Sequence, residues 1–313
     1  MNASTLSMSS GSMPIPPAPR AAAAPHPSVA KMARRREAIE TAPDVRLKEQ
    51  AAAMARAQRR RTLARWLAPV LGFIGLLLVW QLISHSGDKQ LPGPGPVWTA
   101  AAQLFADPFY IKGPNDQGIG WNILSSLQRV GLGFGLAALV GIPLGFMIGR
   151  FNFLNQMLDP IISLLRPVSP LAWLPIGLMV FKAANPAAIW TIFICSIWPM
   201  VINTAVGVRQ VPADYLNVAR VLNLSEWTVM RKILFPSVLP YMLTGVRLAV
   251  GTAWLVIVAA EMLTGGQGIG FWLWDEWNNL NVAHILIAIF IIGAVGLVLE
   301  TLLVWIARRF DYS

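Results

Sequence analysis

Residues 209–239 read RQVPADYLNVARVLNLSEWTVMRKILFPSVL, a stretch too polar to cross a bilayer, set between long apolar runs. Pro212-Ala213-Asp214 predicts a helix start running to about Leu222, with Tyr215, Leu216, Ala219 and Leu222 as one apolar stripe. Asn223 stands where a left-handed residue closes a helix. Ser225 is an N-cap for a second helix from Glu226 that ends at Pro236. The segment is therefore expected to form two short amphipathic helices that present an apolar and basic ridge. Such a surface requires a partner, either lipid headgroups or another protein.

Outward from this loop, apolar runs near 64–84, 122–149, 159–181, 187–208, 238–262 and 284–307 are each long enough for a bilayer of roughly 30 Å, which takes about 20 helical residues. The ten-residue alternation of membrane strands does not occur, so the class is an all-α membrane protein with six transmembrane helices. The third run carries Pro160, Pro167, Pro170 and Pro175 and must be kinked or broken. Of the 313 residues, 55% are hydrophobic and 13% charged, about half the charge of a soluble domain. That deficit argues against an ordinary cytosolic enzyme.

The net charge of +10 raises nucleic-acid binding as an alternative, and the positions of the charges dismiss it. Twelve of the 25 Lys and Arg residues lie in 1–65, and Arg150, Arg209, Arg220, Arg231, Lys232, Arg308 and Arg309 flank the alternate span ends. Only Lys89, Lys112 and Lys182 lie on the other side, so nineteen face three and both termini are expected in the cytoplasm. The domain organisation follows: a basic cytoplasmic tail over 1–62, disordered in its Ala/Pro/Ser-rich first part, and a transmembrane domain over 63–313. On the opposite side, Leu91-Pro-Gly-Pro-Gly-Pro96 reads as a semi-rigid spacer before a short amphipathic stretch from Val97 to Phe105. Phe271-Trp-Leu-Trp-Asp-Glu-Trp277 reads as an interfacial helix. The glycines of 265–270 lack the G-x-G-x-x-G spacing and a preceding strand, so they are not a nucleotide loop.

Asn217-Val218-Ala219-x3-Asn223-x9-Ile233-x-Phe235-Pro236 resembles the EAA loop of ATP-binding-cassette importer permeases, whose pattern is E-A-A-x3-G-x9-I-x-L-P. The spacing matches throughout; Ala219, Ile233 and Pro236 match in identity, and Asn217 replaces the acid. Gly113-Pro-Asn-Asp-Gln-Gly118, Arg166-Pro-Val-Ser-Pro-Leu-Ala-Trp-Leu-Pro175 and Trp274-Asp-Glu-Trp-Asn-Asn-Leu-Asn281 are similar to the nitrate-type branch of the nitrate/sulfonate/taurine/bicarbonate permeases. The resemblance covers about 64–313, with a core near 119–309. It implies a type I ABC-importer permease (MetI-like) fold in the bacterial inner membrane. It also implies that 209–236 couples to separate ATPase subunits, that two copies pair, and that a periplasmic binding protein delivers the anion. The cargo it implies is nitrate, with nitrite or cyanate; bicarbonate, taurine or an aliphatic sulfonate is the alternative within the family.

No Gly-Lys dipeptide occurs, so ATP and Mg are expected on the partner subunits and this chain is expected to be no enzyme and to hold no cofactor. Arg166 and Arg247 share one depth with Glu300, which makes the two arginines candidates for the anion path and Arg247–Glu300 a structural pair. Arg129 reads as a snorkelling or docking residue and Glu261 as an outer anchor or gate contact. Gly141-x3-Gly145-x3-Gly149 permits close helix packing without naming the partner. Cys195 is the single cysteine, and His26, His85 and His284 have no metal-ligand spacing. A secondary anion transporter is the reading from another class. It calls for acidic relays or an inverted repeat, and neither is visible. A membrane-embedded enzyme calls for a His, Cys or carboxylate constellation within the spans, which is also missing.

Overall fold

The computed structural model describes residues 27–86, 91–113 and 116–310. Two compact units divide at Leu76/Leu77. The first unit, as described, is helical from Pro27, within α1 (Pro27–Ser86). The expectation of a disordered start falls on 1–26, outside the described residues, as do His26 and the Pro114-Asn115 step.

The second unit continues from the end of α1 through α2 (Pro94–Leu104), α3 (Ile119–Arg150), α4 (Asn152–Leu165), α5 (Pro170–Phe181), α6 (Ala184–Arg209), α7 (Ala213–Val221), α8 (Glu226–Val229), α9 (Phe235–Thr264), α10 (Ile269–Asn278) and α11 (Val282–Phe310). Among the described residues, five helical stretches are long and apolar enough to cross a membrane: Gln58–Ser86, Ile119–Arg150, Ala184–Arg209, Glu226–Thr264 and Val282–Ala307. The expected third span is not one rod. α4 and α5 are bent by 99° across residues 166–169, and the pair counts as a sixth span only if both halves are taken together. The reason is local: Pro167 and Pro170 carry no N–H to continue the α4 ladder, and Pro170 restarts a helix at its first turn.

α6 is the centre of the second unit, packed by α3, α9 and α5. The glycines of α3 make that packing close. A Cβ on Gly145 would lie 2.7 Å from Thr204 Cβ and 2.8 Å from the Val201 carbonyl, and Gly141 and Gly149 likewise face α6. The small-residue stripe is therefore an intrachain seam. α9 is held to α11 by the buried Trp254, whose indole N–H donates to the Ile292 carbonyl at 2.9 Å.

Contrary to the expectation from sequence, Pro236 does not end the second loop helix. α8 passes through a π-helical turn, Met230–Leu234, directly into α9, and Glu226–Thr264 forms one continuous helical span. The wider turn accommodates a residue that can neither donate nor tolerate the carbonyl four positions before it.

Candidate functional site: an exposed loop ridge and three arginines within the spans

The loop's two helices are built by local signals. α7 closes on Asn223, whose φ is +49°; the Leu224 N–H donates to the Ala219 carbonyl and the Asn223 N–H to the Arg220 carbonyl, both at 3.0 Å. These two bonds satisfy carbonyls that the last turn leaves free. At the start of α8 the Ser225 hydroxyl accepts the Thr228 N–H at 3.3 Å. Arg150, at the end of α3, reaches Glu226 at 3.0 Å and ties the loop to the bundle.

The expected stripe divides. Leu216 and Ala219 turn inward, in a cluster with Phe146, Val208, Leu234 and Val238, while Tyr215 and Leu222 turn outward. The outward set is completed by Val218, Val221 and Trp227, with Val221 82% and Trp227 73% exposed. Arg220, Arg231 and Lys232 are exposed on the same loop. Asn217, at the position of the family's acid, accepts from Arg220 within the loop at 3.1 Å. Ile233 is half-buried and Pro236 exposed. The result is an apolar ridge with a basic border, the composition of a protein-docking surface.

Three arginines lie within the spans, and the fold treats them differently. Arg247 of α9 and Glu300 of α11 are brought together, with Nε–Oε1 at 3.1 Å and a second contact from Nη2, both side chains about half exposed. They line a cavity of about 530 Å³ between the two helices. Charge reversal of both residues is expected to restore the folded yield that either single reversal lowers. A double variant no better than the singles, in yield or thermal unfolding, rejects the pair.

Arg166, at the α4–α5 break, is exposed and makes no ion pair or side-chain hydrogen bond among the described residues. It lines a separate cavity of about 340 Å³ with Trp198, Asn203, Leu248 and Thr252.

Arg129 is the residue whose role sequence reasoning missed. Rather than snorkelling, it pairs at 2.6 Å with Glu261, which is 1% exposed and fully inside the fold. The Glu261 carboxylate also accepts from the Ser126 hydroxyl at 2.8 and 2.9 Å and from the Gly270 N–H at 3.0 Å. Ser126 in turn accepts the Ile269 N–H, and Asn122 accepts the Gly268 N–H. Glu261 is thus a buried seat for the N-terminus of α10, and Arg129 is its counterion, further bonded to Asn185 and the Gln267 carbonyl. The glycines of 265–270 serve this seat: Gly268 has φ +142°, and a Cβ there would fall 2.2 Å from Glu261 Cδ. The matching depth of Arg129 and Glu261 at one end of their spans was the available signal.

Asp275 and Glu276 form no carboxylate pair with Glu261; Glu276 instead contacts His284 at 3.0 Å. His85 bonds Gln81. Cys195 is a buried free thiol, and no His, Cys or carboxylate cluster suited to a metal occurs among the described residues.

The family model described as "Binding-protein-dependent transport system inner membrane component" matches residues 141–312. The bicarbonate transport system permease protein CmpB of Synechococcus elongatus is 45% identical over 252 residues, which cover 80% of this chain and 91% of that protein. The nitrate import permease protein NrtB of Leptolyngbya laminosa is 48% identical over 249 residues, 80% of this chain and 89% of that one. Among solved structures, one titled as an amino acid ABC transporter with histidines aligns with 68% of this chain and 96% of its own, at 17% identity and a TM-score of 0.48.

Proposed function

We propose, for a chain that belongs to the family of binding-protein-dependent transport system inner membrane components, that it forms the membrane path of an ATP-driven importer of nitrate, with nitrite or cyanate as further cargo. Membership makes the chain a permease subunit and not an enzyme, with ATP hydrolysed by a separate partner. ATP and Mg stay on that partner, consistent with a sequence that has no Gly-Lys dipeptide with which to hold phosphates.

The partner ATPase docks on the ridge of residues 209–236, through Tyr215, Val218, Val221 and Trp227, while Ala219, Ile233 and the Asn223 turn hold the ridge in shape. Two copies of the chain enclose the path in the inner membrane, with the ridge and both termini in the cytoplasm. A periplasmic binding protein delivers the anion to the glycine-loop end. Closure of the ATPases moves the ridge and shifts the path between its two openings. The continuous Glu226–Thr264 span provides a stiff connection from the ridge to Glu261.

The observation that carries the anion reading is the distribution of carboxylates. Glu261 neutralises Arg129 and Glu300 neutralises Arg247, which leaves Arg166 as the uncompensated cation among the described intramembrane arginines. We assign Arg166 to the path and Arg247 to the α9–α11 pair. The CmpB relatives favour bicarbonate as a second reading.

Uptake of labelled nitrate in a strain lacking this permease, restored by the chain and its ATPase partner, tests the proposal. Unlabelled nitrite or cyanate should compete and taurine should not. Strongest competition by bicarbonate moves the assignment to that anion, and uptake without any ATPase rejects the importer.

A further inference from the structure

We infer that the cavity beside Arg166 is a binding site for a planar, singly charged oxyanion. The site deepens the importer reading above and rests on it for its physiological cargo, though its chemistry can be measured independently. Its walls come from the α4–α5 break, from α6 and from α9: Arg166, Cys195, Trp198, Asn203, Leu248 and Thr252 around about 340 Å³.

The charge balance selects the ligand. Among the described residues, one guanidinium lines the cavity and no carboxylate does. A single negative charge is therefore matched, whereas a doubly charged tetrahedral anion would leave one charge uncompensated beside the apolar walls of Leu248 and Trp198. A sulfonate that carries an ammonium group would find no acidic partner for it.

The donors select the shape. Arg166 offers a planar fork that no other side chain among the described residues engages. The Trp198 indole N–H makes no hydrogen bond among the described residues. Asn203 spends one amide hydrogen on the Pro199 carbonyl at 2.8 Å and keeps the other. Nitrate and bicarbonate share this trigonal arrangement of acceptor oxygens. They differ in one respect: bicarbonate also carries an O–H that needs an acceptor. Thr252 provides it, since its own hydroxyl hydrogen is committed to the Leu248 carbonyl at 2.9 Å and its oxygen is left to accept.

The test uses the purified full chain in phosphatidylcholine nanodiscs, with line broadening of 15N-nitrate and 13C-bicarbonate as the readout of binding. Arg166→Gln is expected to weaken binding of either anion by roughly tenfold or more, the loss of a charge-assisted pair. Arg166→Lys, which keeps the charge and loses the fork, should lose less and thereby show that the fold is intact. Thr252→Val should weaken bicarbonate more than nitrate. Binding of nitrate alone or bicarbonate alone supports the site and names its cargo. Broadening that persists in Arg166→Gln, or displacement by sulfate or taurine as effective as by the trigonal anions, overturns the assignment. ATPase-driven uptake that remains intact while the parent chain shows no binding overturns it too. Binding without ATPase-driven uptake counts against the importer reading and leaves the site standing.

Discussion

Glu261→Leu is expected to abolish accumulation of folded protein. The substitution leaves the Gly270 N–H without its acceptor, removes the Ser126 partner and strips Arg129, 13% exposed, of its counterion. At 1% exposure the Glu261 side chain is almost wholly withdrawn from bulk water, which therefore does not make good the lost bonds in full. Breaking a buried pair on one side costs about 3–5 kcal/mol, a large share of a total stability of roughly 5–15 kcal/mol. Glu261→Gln should be milder, because an amide oxygen can still accept from Gly270. The double variant Glu261→Leu with Arg129→Met should be more stable than Glu261→Leu alone, since the uncompensated charge is gone. Thermal unfolding of detergent-purified protein, followed by size-exclusion chromatography, measures all three. A Glu261→Leu protein that melts with the parent sinks the account of the seat.

The paired substitution Val221→Asp with Trp227→Asp should have the opposite signature: transport lost, fold kept. Both side chains are strongly exposed and neither belongs to the buried cluster beneath the loop. Surface changes of this kind alter stability by only about 0.5 kcal/mol. At a protein interface, by contrast, a buried aromatic is among the few residues that dominate binding, and a carboxylate placed in an apolar contact adds a desolvation penalty. Co-purification of the ATPase partner should fall by roughly tenfold or more, and uptake should fall with it, while the melting profile stays near that of the parent. Normal ATPase recovery from this variant would relocate the docking surface.

Much of this was legible residue by residue. Apolar length marked the spans, because a helix must satisfy its own backbone groups in hydrocarbon. The turn at Asn223 and the cap at Ser225 were legible because both depend on only a few neighbouring residues. The Arg247–Glu300 approach could be anticipated from depth, since α9 and α11 are successive long spans. What failed were inferences that needed a neighbour. Pro236 stops a helix in isolation, yet here a π-helical turn carries the chain through it. The stripe of Tyr215, Leu216, Ala219 and Leu222 looks uniform on a helical wheel, yet only two of its members meet the ends of α3, α6 and α9.

The sequence by itself determined an all-helical membrane chain, a break in its third apolar run, and a polar loop of two short helices. Each follows from the chemistry of short segments: apolar length, missing proline N–H groups, caps and positive φ. Only the tertiary structure decided which of the three arginines finds a carboxylate among the described residues. Ser126 and Glu261 lie 135 positions apart in the chain, and Arg129 and Glu261 lie 132 apart, so no local pattern joins them. Their meeting depends on α3 and α9 packing against α6, where the glycines of α3 allow backbones to approach. Once that packing is in place, two of the intramembrane arginines are charge-compensated, and Arg166 has no counterion among the described residues.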